Sequence, residues 1–170
     1  HSVLARTVRN AIASGLPVVV VTTPAFGDEA ARLVARRDVV VLGLQNGGVA
    51  PGGMGDSIAA GVAARPSAPG WLLLPADMPL VKPETLLAVA AALNEHAAAY
   101  AQHKGRRGHP VAFGAELLSE LLRLTGEEGA RRILARYPAV GVEVPDPGVL
   151  LDMDTEQDLV ALRAKLSTEV

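Results

Sequence analysis

Gly70-Trp-Leu-Leu-Leu-Pro-Ala-Asp-Met-Pro-Leu-Val-Lys-Pro83 is the stretch that decides how the chain folds. Trp71 to Leu74 form a short, uncharged apolar run, the composition of a strand buried on both faces in a parallel sheet. Pro75 has no N–H to give to a central ladder, so the strand stops, and Asp77 is the first charge beyond it. Ligands of open α/β sheets collect outside the carboxyl ends of the strands. Asp77 is therefore a candidate metal ligand, although an Asp near Pro79 also suits a plain solvated turn.

Upstream of this stretch the pattern alternates. Apolar residues at Leu4, Val8, Ala11 and Ile12 predict a helix from Val3 to Ser14, with Gly15 as its C-terminal cap. Pro17 to Thr22 is a β-branched strand, Thr23 to Asp28 a loop, Ala30 to Arg37 a helix, and Asp38 to Leu42 a second buried strand. Strands alternating with helices imply parallel crossovers and an α/β layered fold. Glycines then crowd positions 43, 47, 48, 52 and 53 ahead of Gly55, which allows a backbone to come close to a ligand. A helix follows from Ile58 to Ala64, with Asp56 or Ser57 as N-cap. An ionised Asp56 at a helix N-terminus works against a phosphate, so this loop is expected to hold a base or ribose. No Walker loop and no Gly-x-Gly-x-x-Gly is present.

Downstream, Pro83 to His96 is an Ala- and Leu-rich helix. Two weak strands, Ala97 to His103 and Pro110 to Phe113, flank Lys104-Gly-Arg-Arg-Gly-His109, and three cations and two histidines, His103 and His109, cluster within seven residues. Such a turn suits an anionic substrate, or is simply a solvated basic hairpin. His103 and His109 lack the further ligands of a zinc site. Leu117 to Leu124 is amphipathic, and Thr125-Gly-Glu-Glu128 matches a capping box for the helix carrying Arg131, Arg132 and Leu134. Val140 to Val144 is a strand and Pro145 to Gly148 a turn, followed by a short strand from Val149 that leads into Asp152-Met-Asp154-Thr155. Two carboxylates two residues apart on an extended segment share a side and are best tolerated around a cation. They equally serve as caps for a last helix.

At 170 residues and 49% hydrophobic content the chain is one domain with a single core. Lys and Arg number 16 against 18 Asp and Glu, and aromatics make up 3%, so neither nucleic acid nor an anionic membrane is an expected partner. The absence of cysteine excludes disulfides and thiol catalysis. No apolar run approaches the length of a membrane span, and a cytoplasmic protein is expected.

The Gly53-Met54-Gly55-x-Ser57 segment before a helix, the acid in Pro-Ala-Asp77-Met-Pro, and Asp152-Met-Asp154-Thr together resemble the MobA-like nucleotidyltransferases, which transfer a nucleotide to molybdopterin cofactor. Gly108-His109-Pro110-Val and Thr125-Gly-Glu-Glu-Gly-Ala-Arg131 resemble the cytidylyltransferase side of that family. The resemblance implies a three-layer α/β/α, Rossmann-like nucleotidyltransferase fold with a mostly parallel sheet. It implies Mg2+ on Asp77, Asp152 and Asp154, with Asp77 and Asp154 catalytic, nucleotide contacts at Gly53, Met54, Gly55 and Ser57, and acceptor contacts at Arg107, Gly108 and His109. CTP or GTP would supply the nucleotide, the acceptor phosphate would attack its α-phosphorus, and pyrophosphate would leave. A molybdoenzyme or its chaperone is the partner implied. Acceptors of the sugar-phosphate or isoprenoid type, or a non-catalytic nucleotide-binding module, are the rival readings.

Two departures from the family pattern stand out. Asp56 occupies a position where a small polar residue is usual, and the family's opening strand with its Leu-Ala-Ala-Gly-x-x-x-Arg-Met-Gly-x-x-Lys loop has no counterpart in this sequence. The crossover rule likewise asks for a strand before the first helix, so residues 1–170 are expected to be an N-terminally incomplete nucleotidyltransferase domain. Roughly 25 to 30 further residues would complete it.

Overall fold

The computed structural model describes residues 2–42 and 53–153. The first helix, α1 (Val3–Ala13), is capped by the Ser2 hydroxyl, which accepts from Ala5 N, and ends where Gly15 takes a φ of 84°. β1 (Val20–Thr22), α2 (Gly27–Leu33), β2 (Val39–Val41) and α3 (Met54–Ala63) follow. The helix expected at Ala30 to Arg37 begins three residues earlier, because Asp28 and Glu29 suit a first turn, and it gives way to a short 3-10 turn at Arg36–Asp38. β3 (Gly70–Leu73) is the strand of the opening stretch. α4 (Pro83–Ala91) starts at its proline and closes in a 3-10 turn at Ala92–Asn94, short of His96.

β4 (Ala98–His103) and β5 (Arg106–Gly114) form the expected hairpin, but its turn is only Lys104 and Gly105, with φ of 51° and 76°. Two consecutive left-handed residues fit a type I′ turn, whose twist matches the strands. Arg106 to His109 are therefore strand residues rather than loop. α5 (Leu118–Leu122), α6 (Arg131–Arg136) and β6 (Ala139–Glu143) complete the regular elements.

Two expectations are corrected here. Thr125 does not cap a helix through Glu128: the Thr125 hydroxyl donates to the Glu128 carboxylate inside a turn made by Gly126 at a φ of 56°, and α6 starts only at Arg131. The segment from Val149 is not a strand but the end of a 3-10 turn, Pro147–Leu150, started by the fixed φ of Pro147 and capped by the Asp146 side chain.

β1 pairs with β2 in parallel, and β3-β5-β4-β6 form a second sheet. β5 is antiparallel to both β3 and β4, and β6 is parallel to β4, so three of these four strands share a direction and β5 alone is reversed. Alternation of side chains sorts the two faces. Trp71, Ala98, Tyr100, Val111 and Phe113 pack with Ile58 and Val62 of α3, Leu121 of α5 and Ile133 of α6. Leu72, Ala99, Ala101 and Ala112 pack with Leu86 and Val89 of α4 and Ala11 of α1. The result is three layers, α/β/α. β3 is thus covered on both sides, as its composition requires. Phe113 is fully buried, and burying such a side chain contributes about 1.5–3 kcal/mol. α1, α2, β1 and β2 share a smaller core around Val8, Val20 and Ala30. No helix among the described residues is long and apolar enough to cross a membrane.

Candidate active site

β3 delivers Asp77 to the edge of the sheet, and four contacts hold the connection it sits on. The Thr7 hydroxyl donates to Ala76 O at 2.7 Å, Asn10 Nδ2 donates to Pro79 O at 2.7 Å, and Met153 N donates to Asp77 O at 2.7 Å. Gly148 packs against Leu80 so closely that a Cβ would stand 2.3 Å from the Leu80 carbonyl oxygen. The segment 146–153 is anchored in turn by Asp146, which is 2% exposed. Its Oδ2 accepts from Lys82 N at 2.9 Å and from the Thr85 hydroxyl at 2.6 Å, and its Oδ1 accepts from Gly148 N at 3.0 Å. Asp152 is thereby set beside Asp77 by the chain itself.

His109 reaches the same edge from the opposite direction. Leu73 is opposite Val111, so His109 lies beyond the end of β3. On the other side Tyr100 pairs with Val111 and Gln102 with Arg107, which leaves Ala101 alone against Gly108, His109 and Pro110. Such a bulge re-aims a side chain, and bulges recur next to active sites. The His109–Pro110 peptide is cis. Gly108 is a packing requirement: a Cβ there would lie 2.1 Å from the Val149 carbonyl oxygen. The imidazole is half-buried. Burial pushes its pKa below the ordinary histidine value, while the charges of Asp77 and then Asp152 pull it back up. The charges of Asp77 and Asp152 thus both reach His109.

Asp77 and Asp152 supply carboxylate oxygens, the donor type that hard divalent cations select, and magnesium is content with one or two carboxylates plus waters and phosphates. Among the described residues no three His, Asp or Glu side chains converge as a ready-made metal cage. The pair fits an ion that completes its shell with substrate oxygens. Asp154, the third expected ligand, lies outside the described residues, as do Gly43, Gly47, Gly48 and Gly52.

α3 ends near the start of β3, where Arg65 O accepts from Trp71 Nε1 at 2.9 Å, so its N-terminus points back toward the edge where Asp77 stands. Here the expected N-cap is corrected. Gly53 is the N-cap and Asp56 sits three residues in, reaching back to accept from Gly53 N at 3.1 Å. Gly55 is buried under the turn 125–128, donating its N–H to Gly126 O at 2.8 Å. The two glycines make room for that turn: a Cβ on Gly53 would meet Glu127 at 2.4 Å and one on Gly55 would meet Glu128 O at 2.3 Å. Met54 is 51% exposed and Ser57 is half-buried, which leaves these two side chains of the expected nucleotide contacts open to a ligand. The Arg107 guanidinium lies 4.4 Å over the Tyr100 ring.

The model of the MobA-like NTP transferase domain matches residues 1–140. The chain belongs to that family. Of solved structures, Rv0371c from Mycobacterium tuberculosis H37Rv is similar at 28% identity and a TM-score of 0.75, covering 94% of this chain and 83% of that one. The same protein in complex with manganese is similar at 25% identity and a TM-score of 0.71, covering 94% and 84%. A 4-diphosphocytidyl-2C-methyl-D-erythritol synthase from Anaerococcus prevotii shares the fold at 13% identity and a TM-score of 0.73, covering 97% and 86%. The curated proteins contain no match to the sequence. The chain is thus a MobA-like nucleotidyltransferase domain of Rossmann-like architecture.

Asp146, Thr7 and Asn10 escaped the sequence reading. Their partners lie 61 to 69 residues away, and only the Asp-Pro-Gly turn signal at 146–148 marks any of them locally.

Proposed function

We propose that the protein is a divalent-metal-dependent nucleotidyltransferase that transfers CMP, with GMP as the alternative, from the nucleoside triphosphate to the phosphate of molybdopterin cofactor. The observation that carries the reading is the bond from Met153 N to Asp77 O at 2.7 Å, which brings Asp152 next to Asp77 beyond the end of β3, where the charges of both carboxylates reach His109. Asp77 and Asp152, with Asp154 beyond the described residues, would hold Mg2+, which when bound offsets charge on the phosphoryl oxygens. The chain's own work is positioning. Met54 and Ser57 at the start of α3 would face the nucleoside, and Gly108 and His109 would face the acceptor, with Arg107 next to them on β5. A largely neutral His109 can donate a hydrogen bond to an acceptor oxygen without adding a charge that competes for the metal. In-line attack by the acceptor phosphate on the α-phosphorus forms the new P–O bond as the bond to pyrophosphate breaks, and no protein nucleophile is required.

The cytidine preference rests on the resemblance of the Gly-His-Pro segment and of residues 125–131 to the cytidylyl subgroup. The manganese in the complex of Rv0371c supports a divalent ion in general. A cytoplasmic setting and delivery of product to a molybdoenzyme or its chaperone belong to the same proposal. So does an additional strand between β1 and β3, which are not paired with each other among the described residues. Pyrophosphate release by the full natural protein, measured with each nucleoside triphosphate against molybdopterin and a panel of sugar and isoprenoid phosphates, tests the reading. Turnover only with another acceptor overturns the molybdopterin assignment, and tighter calorimetric binding of GTP than CTP overturns the base.

A further inference from the structure

We propose that Asp56 is a positioning residue of the nucleotide site, fastening the turn 125–129 to the first turn of α3 so that Met54 and Ser57 are carried on a wall built from both. The proposal rests on the nucleotidyltransferase reading and goes beyond it, since Asp56 stands where the family pattern has a small polar residue.

One carboxylate oxygen makes the junction. Asp56 Oδ2 accepts from Gly53 N at 3.1 Å, which is ordinary capping within α3, and also from Gly126 N at 3.0 Å, 70 residues away. The reverse bond, Gly55 N to Gly126 O at 2.8 Å, makes the connection reciprocal. The turn is fixed at its own end by Glu128 N donating to Thr125 O at 3.1 Å, and Gly126 reaches the required φ of 56° because it has no Cβ. Gly129 continues the contact, with Met54 Cγ 3.8 Å from the point a Cβ would occupy. Gly53 and Gly55 are therefore small for the sake of this docking, and Asp56 is the only side chain whose hydrogen bonds span the junction among the described residues.

The charge also sorts the ligand. A carboxylate in the first turn of α3 occupies the position where the helix would otherwise favour an anion, and Glu127 adds a second negative charge beside Gly53. Phosphates are repelled from such a wall, and the uncharged nucleoside end is received. Removing the carboxylate frees the turn, so the effect falls on nucleotide binding rather than on the transfer step.

The test compares Asp56→Ala and Asp56→Asn with the wild type by steady-state kinetics, calorimetry with CTP and GTP, and amide exchange. In Asp56→Ala the Gly126 amide exchanges faster and KM for the nucleoside triphosphate rises about tenfold, with kcat within about twofold. Asp56→Asn keeps an acceptor oxygen and stays within about threefold of wild type in KM. An unchanged KM in Asp56→Ala, whatever its melting temperature, overturns the positioning role, because a plain helix cap would lower stability alone. Equal losses in kcat and KM with no change in exchange overturn it too. A wild-type protein that binds no nucleoside triphosphate takes down the function reading and this proposal together. A wild type that binds nucleotide no better than Asp56→Ala takes down this proposal alone.

Discussion

Replacing Asp146 should unfasten the segment that carries Asp152. The carboxylate is 2% exposed and accepts three hydrogen bonds, from Lys82 N, the Thr85 hydroxyl and Gly148 N. Hydrogen bonds to a charged group contribute about 1.5–3 kcal/mol each. Their sum overstates the cost of Asp146→Ala, since the three share one acceptor group and the variant no longer buries a charge. Two backbone donors and a hydroxyl nonetheless lose their acceptor, the Thr85 and Gly148 groups at buried positions, so a net loss of about 3–4 kcal/mol is expected. Asp146→Asn is the discriminating variant. Its single amide oxygen can face Lys82 and Thr85, but its NH2 then opposes the Gly148 N–H, donor against donor, and about 2 kcal/mol is lost. Urea denaturation reads both: with an m-value of about 2 kcal/mol/M the Ala variant shifts its midpoint by roughly 1.5–2 M and the Asn variant by about 1 M. An Asn variant as stable as wild type, or an Ala shift under about 0.5 M, would show that the carboxylate does not hold the turn.

Further outcomes follow from other contacts. Asp77→Asn should lower kcat/KM at least about a hundredfold while leaving the urea midpoint within about 0.3 M of wild type; turnover within a few-fold of wild type removes Asp77 from the metal site. Gly108→Ala should cost about 2 kcal/mol, since its Cβ meets the Val149 carbonyl, and a melting temperature unchanged by the substitution contradicts that packing. The Glu143 carboxyl is held below its ordinary value, first by the Lys104 N–H and then by the Gly105 N–H, so its contribution is present above the ordinary glutamate pKa and lost as pH falls through the depressed one. Glu143→Gln should flatten the acid limb of the stability–pH curve, and identical limbs for the two proteins would refute the assignment.

The layers were legible because they depend on local composition. The aliphatic runs around Val20, Val39 and Trp71 announce strands, and the Lys104-Gly105 pair closes a hairpin whose strands are otherwise weak in β-formers. The place of Asp77 was legible because the sequence marks where β3 stops, whereas His109, expected in a loop, lies inside β5 at a bulge that no local pattern announces. Thr125-x-x-Glu128 misled, because the same spacing serves a turn as well as a cap, and only the left-handed Gly126 tells them apart. Val149 to Leu151 misled because apolar character marks burial and not conformation; it is the approach of Gly148 to Leu80 that requires a turn there. Asp146 and Asp56 act on partners 61 to 70 residues distant, and no short-range pattern encodes such a pairing.

The reversed direction of β5 has a consequence for how this enzyme family can diversify. In a sheet whose strands all run one way, the ligand edge receives only strand exits, each trailing a connection that tolerates insertion. β5 reaches that edge near its beginning, with His109 four residues after the tight turn at Lys104 and Gly105 and the Gln102–Arg107 and Tyr100–Val111 pairs on either side of it. Between those pairs the bulge already sets Gly108, His109 and Pro110 against Ala101 alone, so the extra length is absorbed there and the pairing on either side keeps its register. The segment around His109 is therefore the place on β5 where the pairing with β4 is relaxed, held between two fixed pairs. A replacement at His109 would change the side chain presented at this edge while the paired residues on either side keep the rest of β5 in place.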